Sequence, residues 1–288
     1  AIMLTTPILL AAMGGLINRR AGIVNIGLEA KMLAGAFVAV IVSSATGSWI
    51  IACLAAALAG AAIGWLFSLS ITRAGANMIV AGLGLNILVA GVLGFVLSWM
   101  YRSSGTLRLP DVALLPKILP AGLEVVPLFG PALAALDPLT LLAWMTVGAL
   151  PFVLASTRIG LWIRATGNAS EMARSVGLQH LTIQDFTTTC AGFFSGLAGA
   201  HLALVSLGLF NEGLTAGRGF IALAAFYFGR DRPVTTAFAC LLFGALEAAQ
   251  IRLQLEGLPP KLIGMLPYVM VLIALVVASI QAQKKESA

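Results

Sequence analysis

Apolar residues fall in long runs along this chain, separated by short polar or glycine-rich joints. A bilayer core takes about 20 apolar residues per helix. Nine runs read as candidate spans: Met3–Ile17, Ile23–Ser44, Trp49–Thr72, Ala76–Tyr101, Ala134–Ser156, Asp185–Leu209, Gly219–Phe228, Val234–Ile251 and Leu262–Gln281. The first and seventh are short for a full crossing, and read either as tilted helices or as broken, half-crossing ones. Glycine-rich joints near both (Gly14, Gly15, Gly22, Gly217, Gly219) fit broken helices, which in transporters mark substrate pathways. The pattern predicts an all-α polytopic membrane helix bundle of about nine spans, with residues 1–288 forming a single transmembrane domain.

Two stretches interrupt the apolar pattern. The longest connection, residues 102–133, holds five of the chain's twelve prolines (Pro110, Pro116, Pro120, Pro127, Pro131). Proline at that density prevents a continuous helix. Its apolar content places it on the membrane face or over a pore, as a docking surface or a plain connector. The other stretch, residues 157–184, is the most polar of the chain. Here the spacing predicts a short capped helix over Ala169–Val176. Asn168 serves as N-cap, Glu171 falls at the third helical position, and Gly177 stops the helix in a left-handed conformation. Such a helix is about 12 Å long at 1.5 Å per residue. Set between two spans it forms a rigid knob able to pass force to a soluble partner; a solvated loop with an incidental turn is the alternative.

Composition agrees with the pattern. The mean hydropathy is +1.01, and 10% of the residues are charged, where a soluble domain carries about 25%. The net charge of +6 does not point to a nucleic-acid polymer, because the basic residues never run longer than the pairs Arg19-Arg20 and Lys284-Lys285. Sorted along the nine spans, ten basic residues share one side: Arg19, Arg20, Arg73, Arg158, Arg164, Arg174, Arg230, Arg232, Lys284 and Lys285. Arg102, Arg108, Lys117, Arg252 and Lys261 take the other, with Lys31 and Arg218 unassigned. The richer side is cytoplasmic by the positive-inside rule. The N-terminus is therefore expected outside and the C-terminus in the cytoplasm. Residues 102–133 become an extracytoplasmic loop and residues 157–184 a cytoplasmic one. The first residue is Ala1 rather than Met, so a natural start further upstream is expected; no basic region precedes the first run as a cleavable signal would require.

The chemistry on offer is sparse. Cys53, Cys190 and Cys240 lie far apart in apolar runs, with no CxxC or Cys/His spacing for a metal site. No HExxH, GxSxG or GxxxxGKS/T pattern occurs, so the chain offers no catalytic centre, metal site or nucleotide site of its own. Gly60-x-x-x-Gly64, Gly192-x-x-x-Gly196 and Ser195-x-x-x-Gly199 let helix backbones approach closely, with a partner helix in this chain or another.

Ionisable and amide groups inside the spans are costly, and face a cavity or a partner. Glu29 and Lys31 stand two apart and so do not share a helix face. The segment from Gly22 to Glu29 reads as a non-helical lead-in, with Asn25 satisfying freed backbone groups or lining a pathway. Asn77 and Asn86 fall in the fourth span, and Asn86 needs a neighbouring helix or a substrate as partner. His201 reads as a hydrogen-bonded packing residue or, less simply, a proton relay. Glu247 and Gln250 share a face, and Arg218 is expected to pair with Glu212 or Glu247.

The stretch Glu171-Met172-Ala173-Arg174-Ser175-Val176-Gly177 resembles the E-A-A-x-x-x-G loop of bacterial ABC importer permeases. Met172 replaces the second alanine, and the I-x-L-P continuation is absent. This departure resembles the branched-chain amino acid, simple-sugar and nucleoside permeases, whose loop is more divergent. Further stretches are similar to the nucleoside and simple-sugar branch: Thr6–Gly15, Gly22–Ala30, Gly217–Ala225 and Met265–Tyr268. The resemblance implies a non-enzymatic permease subunit of the bacterial inner membrane. It implies a second permease subunit, the same chain or a different one, and separate ATP-binding subunits that carry ATP and Mg. It also implies an extracytoplasmic substrate-binding protein. Nucleosides are favoured over sugars. Asn168, Glu171, Ala173, Arg174 and Gly177 become the ATPase-coupling residues, and Asn25, Glu29, Asn86 and Phe220 the candidates for the substrate pathway. A simple-sugar permease, a stand-alone ion-coupled carrier and a purely structural membrane subunit are the alternatives.

Overall fold

A computed structural model describes residues 2–102, 105–118, 136–205 and 208–255. Four long helices come first: α1 (Ile2–Arg20), α2 (Leu28–Thr46), α3 (Trp49–Thr72) and α4 (Met78–Met100). Beyond the first ribbon strand, β1 (Thr106–Arg108), lie α5 (Pro138–Ser156), α6 (Arg158–Asn168), α7 (Ser170–Ser175) and α8 (His180–Leu204). The second strand, β2 (Leu209–Asn211), precedes α9 (Arg218–Phe228) and α10 (Pro233–Leu255). Among the described residues, α1 to α5 and α10 are the six helices long and apolar enough to cross a membrane. The chain is thus an all-α polytopic bundle. The ninth expected span, Leu262–Gln281, lies outside the described residues, as does the Met265–Tyr268 stretch.

The first helix corrects the expectation of a short span. It runs 19 residues, and every residue from Thr5 to Asn18 is buried. An apolar helix buried on all sides belongs at the centre of a bundle. Beside it packs α8, whose buried face is built largely of Thr, Ser, Ala and Gly. That composition lets α3 and α8 meet backbone to backbone. A methyl group added at Gly60 would overlap the carbonyl of Gly192, and one at Gly192 would overlap that of Gly60. The partner of the small-xxx-small patterns is therefore within this chain. On the outside, α4 exposes Ile79, Val80, Ile87, Leu88, Val92, Phe95 and Trp99, a surface that lipid or another apolar chain must cover.

One end of the bundle carries the basic residues Arg19, Arg20, Arg73, Arg158, Arg164, Arg230 and Arg232, at the ends of α1, α3, α5 and α9 and the starts of α6 and α10. At the opposite end β1 and β2 pair antiparallel, with Leu107 opposite Phe210. The loop after β1 lies on the helix ends. Ser43 donates to the Ala113 carbonyl at 2.9 Å, Ser44 donates to that of Pro110 at 2.7 Å, and Leu115 N–H donates to Leu204 O at 3.1 Å. This described part of the 102–133 connection caps the bundle; residues 119–133 are outside the described set.

A buried polar chain knits the same end. Asp137 caps α5, accepting from Thr140 N at 2.9 Å and from its hydroxyl at 2.7 Å. Thr140 also shares a hydrogen bond with Thr6 of α1 at 2.9 Å. His201 Nε2 lies 3.0 Å from Asp137 Oδ2, so His201 is the packing residue the sequence allowed for. The Asp-Pro pair at residues 137–138 marks a helix start, a signal that moves the fifth span's beginning from Ala134 to Pro138.

Candidate functional site

Between α1 and α2 the backbone leaves helical form. Ala21, Gly22 and Ile23 still hydrogen-bond back to the end of α1, but α2 starts only at Leu28, with Gly27 as a cap that has no side chain to offer. The orphan N–H groups of a first helical turn need acceptors. Asn86 of α4 supplies one: its Oδ1 accepts from Ala30 N at 3.0 Å, while its Nδ2 donates to Ile26 O at 3.2 Å. Asn86 thus finds its partner on a neighbouring helix and braces the break from outside. Asn77 is not within the fourth span; it caps α4, accepting from Ile79 N and Val80 N.

A second interrupted element meets this break. The 11 residues of α9 span about 16 Å, half of a bilayer core of about 30 Å. Its C-terminal end lies among the basic residues, and its N-terminal end stops inside the bundle against Glu29. Glu29 accepts from Gly217 N at 2.9 Å through Oε1 and from Gly219 N at 2.7 Å through Oε2. The carboxylate therefore caps a helix 188 residues away rather than its own, and sits on the positive end of that helix dipole. Beside it Arg218 pairs with Glu247 of α10, the second of the two partners expected. Phe220, half a turn into α9, remains exposed.

Lys31 completes the locus. Its side chain is fully buried, donates from Nζ to Asn25 Oδ1 at 2.6 Å, and lies 4.4 Å from the centre of the Phe67 ring. Asn25 is also fully buried, and its Nδ2 has no hydrogen-bond partner among the described residues. The expectation that Asn25 satisfies freed backbone groups is corrected: its side-chain oxygen accepts from Lys31 Nζ. Glu29 and Lys31 point to different neighbours, as their spacing predicts. Asn25, Glu29, Asn86 and Phe220 thus gather around the first turn of α2 and the N-terminus of α9. Lys31 joins them, although neither its charge nor its position in the sequence shows it to be buried.

The second locus is the polar loop at the basic end. Thr157 caps α6 by accepting from Gly160 N at 3.1 Å. The helix begun there runs through Asn168, so Asn168 ends α6 instead of capping the next helix, and the Asn-x-x-Glu box does not form. The break falls at Ala169, and α7 is six residues long. Its far end is as expected. Gly177 has φ +83°; its N–H bonds to Arg174 O at 3.0 Å, and Leu178 N–H to Ala173 O at 3.0 Å. This is a Schellman closure, which favours glycine. Ala173 is buried against the bundle, while Glu171, Met172, Arg174 and Val176 face outward. Met172 and Val176 are 73% and 75% exposed, an apolar tip on a polar loop. The loop is tied below by α6, whose residues Ile159, Leu161 and Trp162 are exposed on an amphipathic helix.

Asp185 anchors this end of α8, accepting from Ser68 at 2.6 Å, Thr72 at 2.8 Å and Arg73 at 3.1 Å. Among the described residues no group of three or more His, Cys, Asp or Glu side chains is gathered as a metal site needs.

Comparison with known proteins places these features in context. The branched-chain amino acid transport system / permease component family matches residues 1–275. The chain is 30% identical to a nucleoside ABC transporter permease of Lactococcus lactis, over 95% of this chain and 89% of that one. It is 29% identical to a guanosine ABC transporter permease of Bacillus subtilis, with the same two coverages. A glucose ABC transporter permease of Haloferax volcanii is 28% identical, over 92% of this chain and 72% of its own length. No solved structure matches.

Proposed function

The chain belongs to the branched-chain amino acid transport system / permease component family, and from that premise we propose that it carries a nucleoside or related small polar solute through the membrane half of an ATP-driven importer. It is a multi-pass permease subunit of an ABC importer, a transport subunit rather than an enzyme; the stand-alone ion-coupled carrier is not favoured. An extracytoplasmic binding protein delivers the solute to the end capped by the β1–β2 ribbon. ATP and Mg bind separate subunits, which also hydrolyse the ATP, at the basic end. A second permease subunit completes the pathway. The setting is the bacterial inner membrane, N-terminus outside and C-terminus in the cytoplasm, with 102–133 extracytoplasmic and 157–184 cytoplasmic.

One observation carries this reading. Two interrupted helices meet inside the bundle, and Glu29 joins them by accepting from Gly217 and Gly219. Discontinuous helices with a half-helix N-terminus inside the membrane are where transporters place their solutes. Such a joint can open by exchanging a few hydrogen bonds, without unpacking a full span. Asn25, Glu29, Asn86 and Phe220 border it. At the other locus, exposed Glu171 and Arg174 contact the ATP-binding subunit. Ala173 and Gly177 fix the shape of α7, and Asn168 marks its hinge with α6. ATP-driven movement of α7 passes through α6 into the bundle.

The relatives' names divide between nucleosides and glucose; the two nucleoside-type relatives align over more of this chain and of their own length, which supports nucleosides as the first reading and a simple sugar as the second. Vesicles holding the complete set of subunits decide it. ATP-dependent uptake of labelled guanosine, competed by other nucleosides and not by glucose, is expected. Uptake of glucose alone gives the site to sugars, and uptake driven by an ion gradient without ATP overturns the importer.

A further inference from the structure

The geometry points to a binding site for the phosphate of an anionic membrane lipid, in a cleft at the basic end apart from the Glu29 joint. The cleft is about 190 Å³ and is lined by Arg20, Pro151, Leu154, Ala155, Arg164 and Pro233. Its two charged residues are arginines from different helices, and no acidic residue lines it among the described residues. Arg20 donates from Nε and Nη2 to the Asp231 carbonyl at 2.9 and 2.6 Å. A carbonyl orients the guanidinium but leaves its charge standing. The Asp231 carboxylate forms its ion pair with Arg19, at 3.8 Å, and attracts Arg20 without pairing with it. Arg164 is less satisfied still. Its Nε is buried without a hydrogen-bond partner among the described residues, and its Nη2 reaches the Ala155 carbonyl only at 3.5 Å. A buried donor left unmade is costly, and a guanidinium fork matches phosphate oxygens.

The walls and the setting select a lipid over a free anion. Apart from the arginines the lining is aliphatic or proline, contributed by the ends of the membrane helices α5 and α10, where headgroups meet protein. Adjoining α6 is amphipathic and exposes Ile159, Leu161 and Trp162, as a helix lying in the membrane interface does. Basic pockets between membrane helices suit anionic headgroups. A phosphodiester held by both arginines would tie α6, the base of the α7 loop, to α1 and α10. The importer would then depend on anionic lipid.

The test is native mass spectrometry of the full chain in detergent, titrated separately with phosphatidylglycerol, phosphatidylcholine and inorganic phosphate. Wild type is expected to bind one phosphatidylglycerol in preference to phosphatidylcholine. Arg164→Gln should weaken that binding about five-fold, the worth of one basic residue facing an anionic headgroup. Ala155→Glu, which sets a carboxylate at the exposed rim, should weaken it at least as much without removing any arginine contact. Arg158→Gln, on the exposed side of α6, should leave it unchanged. Equal binding of the two lipids, or of phosphatidylglycerol by all three variants, overturns the site. Saturable binding of inorganic phosphate that phosphatidylglycerol does not displace assigns a free anion and overturns the lipid.

Discussion

The side-chain nitrogen of Lys31 lies 2.6 Å from the side-chain oxygen of Asn25, with both residues wholly buried and no carboxylate paired with the lysine among the described residues. A buried amide thus carries the hydrogen bonding of a buried amine, helped by the face of Phe67. Taking away the acceptor leaves the amine stranded, at a cost of about 1–3 kcal/mol or more for a charged group. Asn25→Leu should therefore lower the thermal midpoint of the purified chain clearly. Lys31→Met keeps the volume and removes the buried amine, but it leaves the Asn25 amide unpaired, so it should cost less than Asn25→Leu without being neutral. The double variant should recover most of what Asn25→Leu loses. A double variant no more stable than Asn25→Leu would show that the two side chains are not coupled.

The cap that Glu29 provides to α9 gives a second prediction. Glu29→Ala strips acceptors from Gly217 and Gly219, and losing a helix cap costs about 0.5–2 kcal/mol. The chain should still insert and purify, because α9 remains packed on α1, with the buried Phe226 ring against Gly15. ATP-dependent uptake should fall several-fold. Glu29→Asp, one methylene shorter, should fall between. Uptake at the wild-type rate in Glu29→Ala would remove the joint from the transport pathway.

Local patterns in the sequence placed the long elements well and the contacts between them poorly. The span Trp49–Thr72 is the helix found, since its ends are set by nearby residues. Gly177 was legible as a stop, because a left-handed closure depends only on its own turn. Asn168 was misread because an Asn-x-x-Glu pattern is satisfied locally, while Thr157, 11 residues earlier, had already started a helix that runs through it. Glu29 and Gly217 stand 188 residues apart, and Asp137 and His201 stand 64 apart. No periodicity carries such pairings. They follow from how the half-helix and the broken lead-in pack, and so the candidate site was visible as a set of costly polar residues but not as a joint.

The α7 loop separates folding from contact. Glu171 is exposed and makes no hydrogen bond or ion pair with another described residue. Glu171→Ala should leave the thermal midpoint unchanged while lowering coupled uptake and the stimulation of the ATP-binding subunit. Gly177→Ala acts differently, because a side chain at φ +83° costs about 1–2 kcal/mol. It should loosen α7 and impair coupling together with local protection from hydrogen exchange. Normal coupled uptake in Glu171→Ala would sink the contact assigned to that residue.

Asp231 makes stability depend on pH in a stated direction. It lies in the turn between α9 and α10, and burial pushes its carboxyl above the usual value against the opposing pull of Arg19 and Arg20. One carboxylate oxygen is buried without a hydrogen-bond partner among the described residues, which agrees with burial as the stronger influence. With the folded value raised, the folded chain holds the proton more tightly than the unfolded one. From about pH 4, the ordinary aspartate value, up to the raised folded value, this group's contribution makes stability fall as pH rises. Asp231→Asn removes the titration while keeping a residue that tolerates the left-handed φ of +54° found there. Thermal unfolding in detergent across mildly acidic to neutral pH should show the variant gaining on wild type as pH rises through the window, then holding a constant difference. A difference that shrinks with rising pH would mean that Arg19 and Arg20 outweigh burial at this turn.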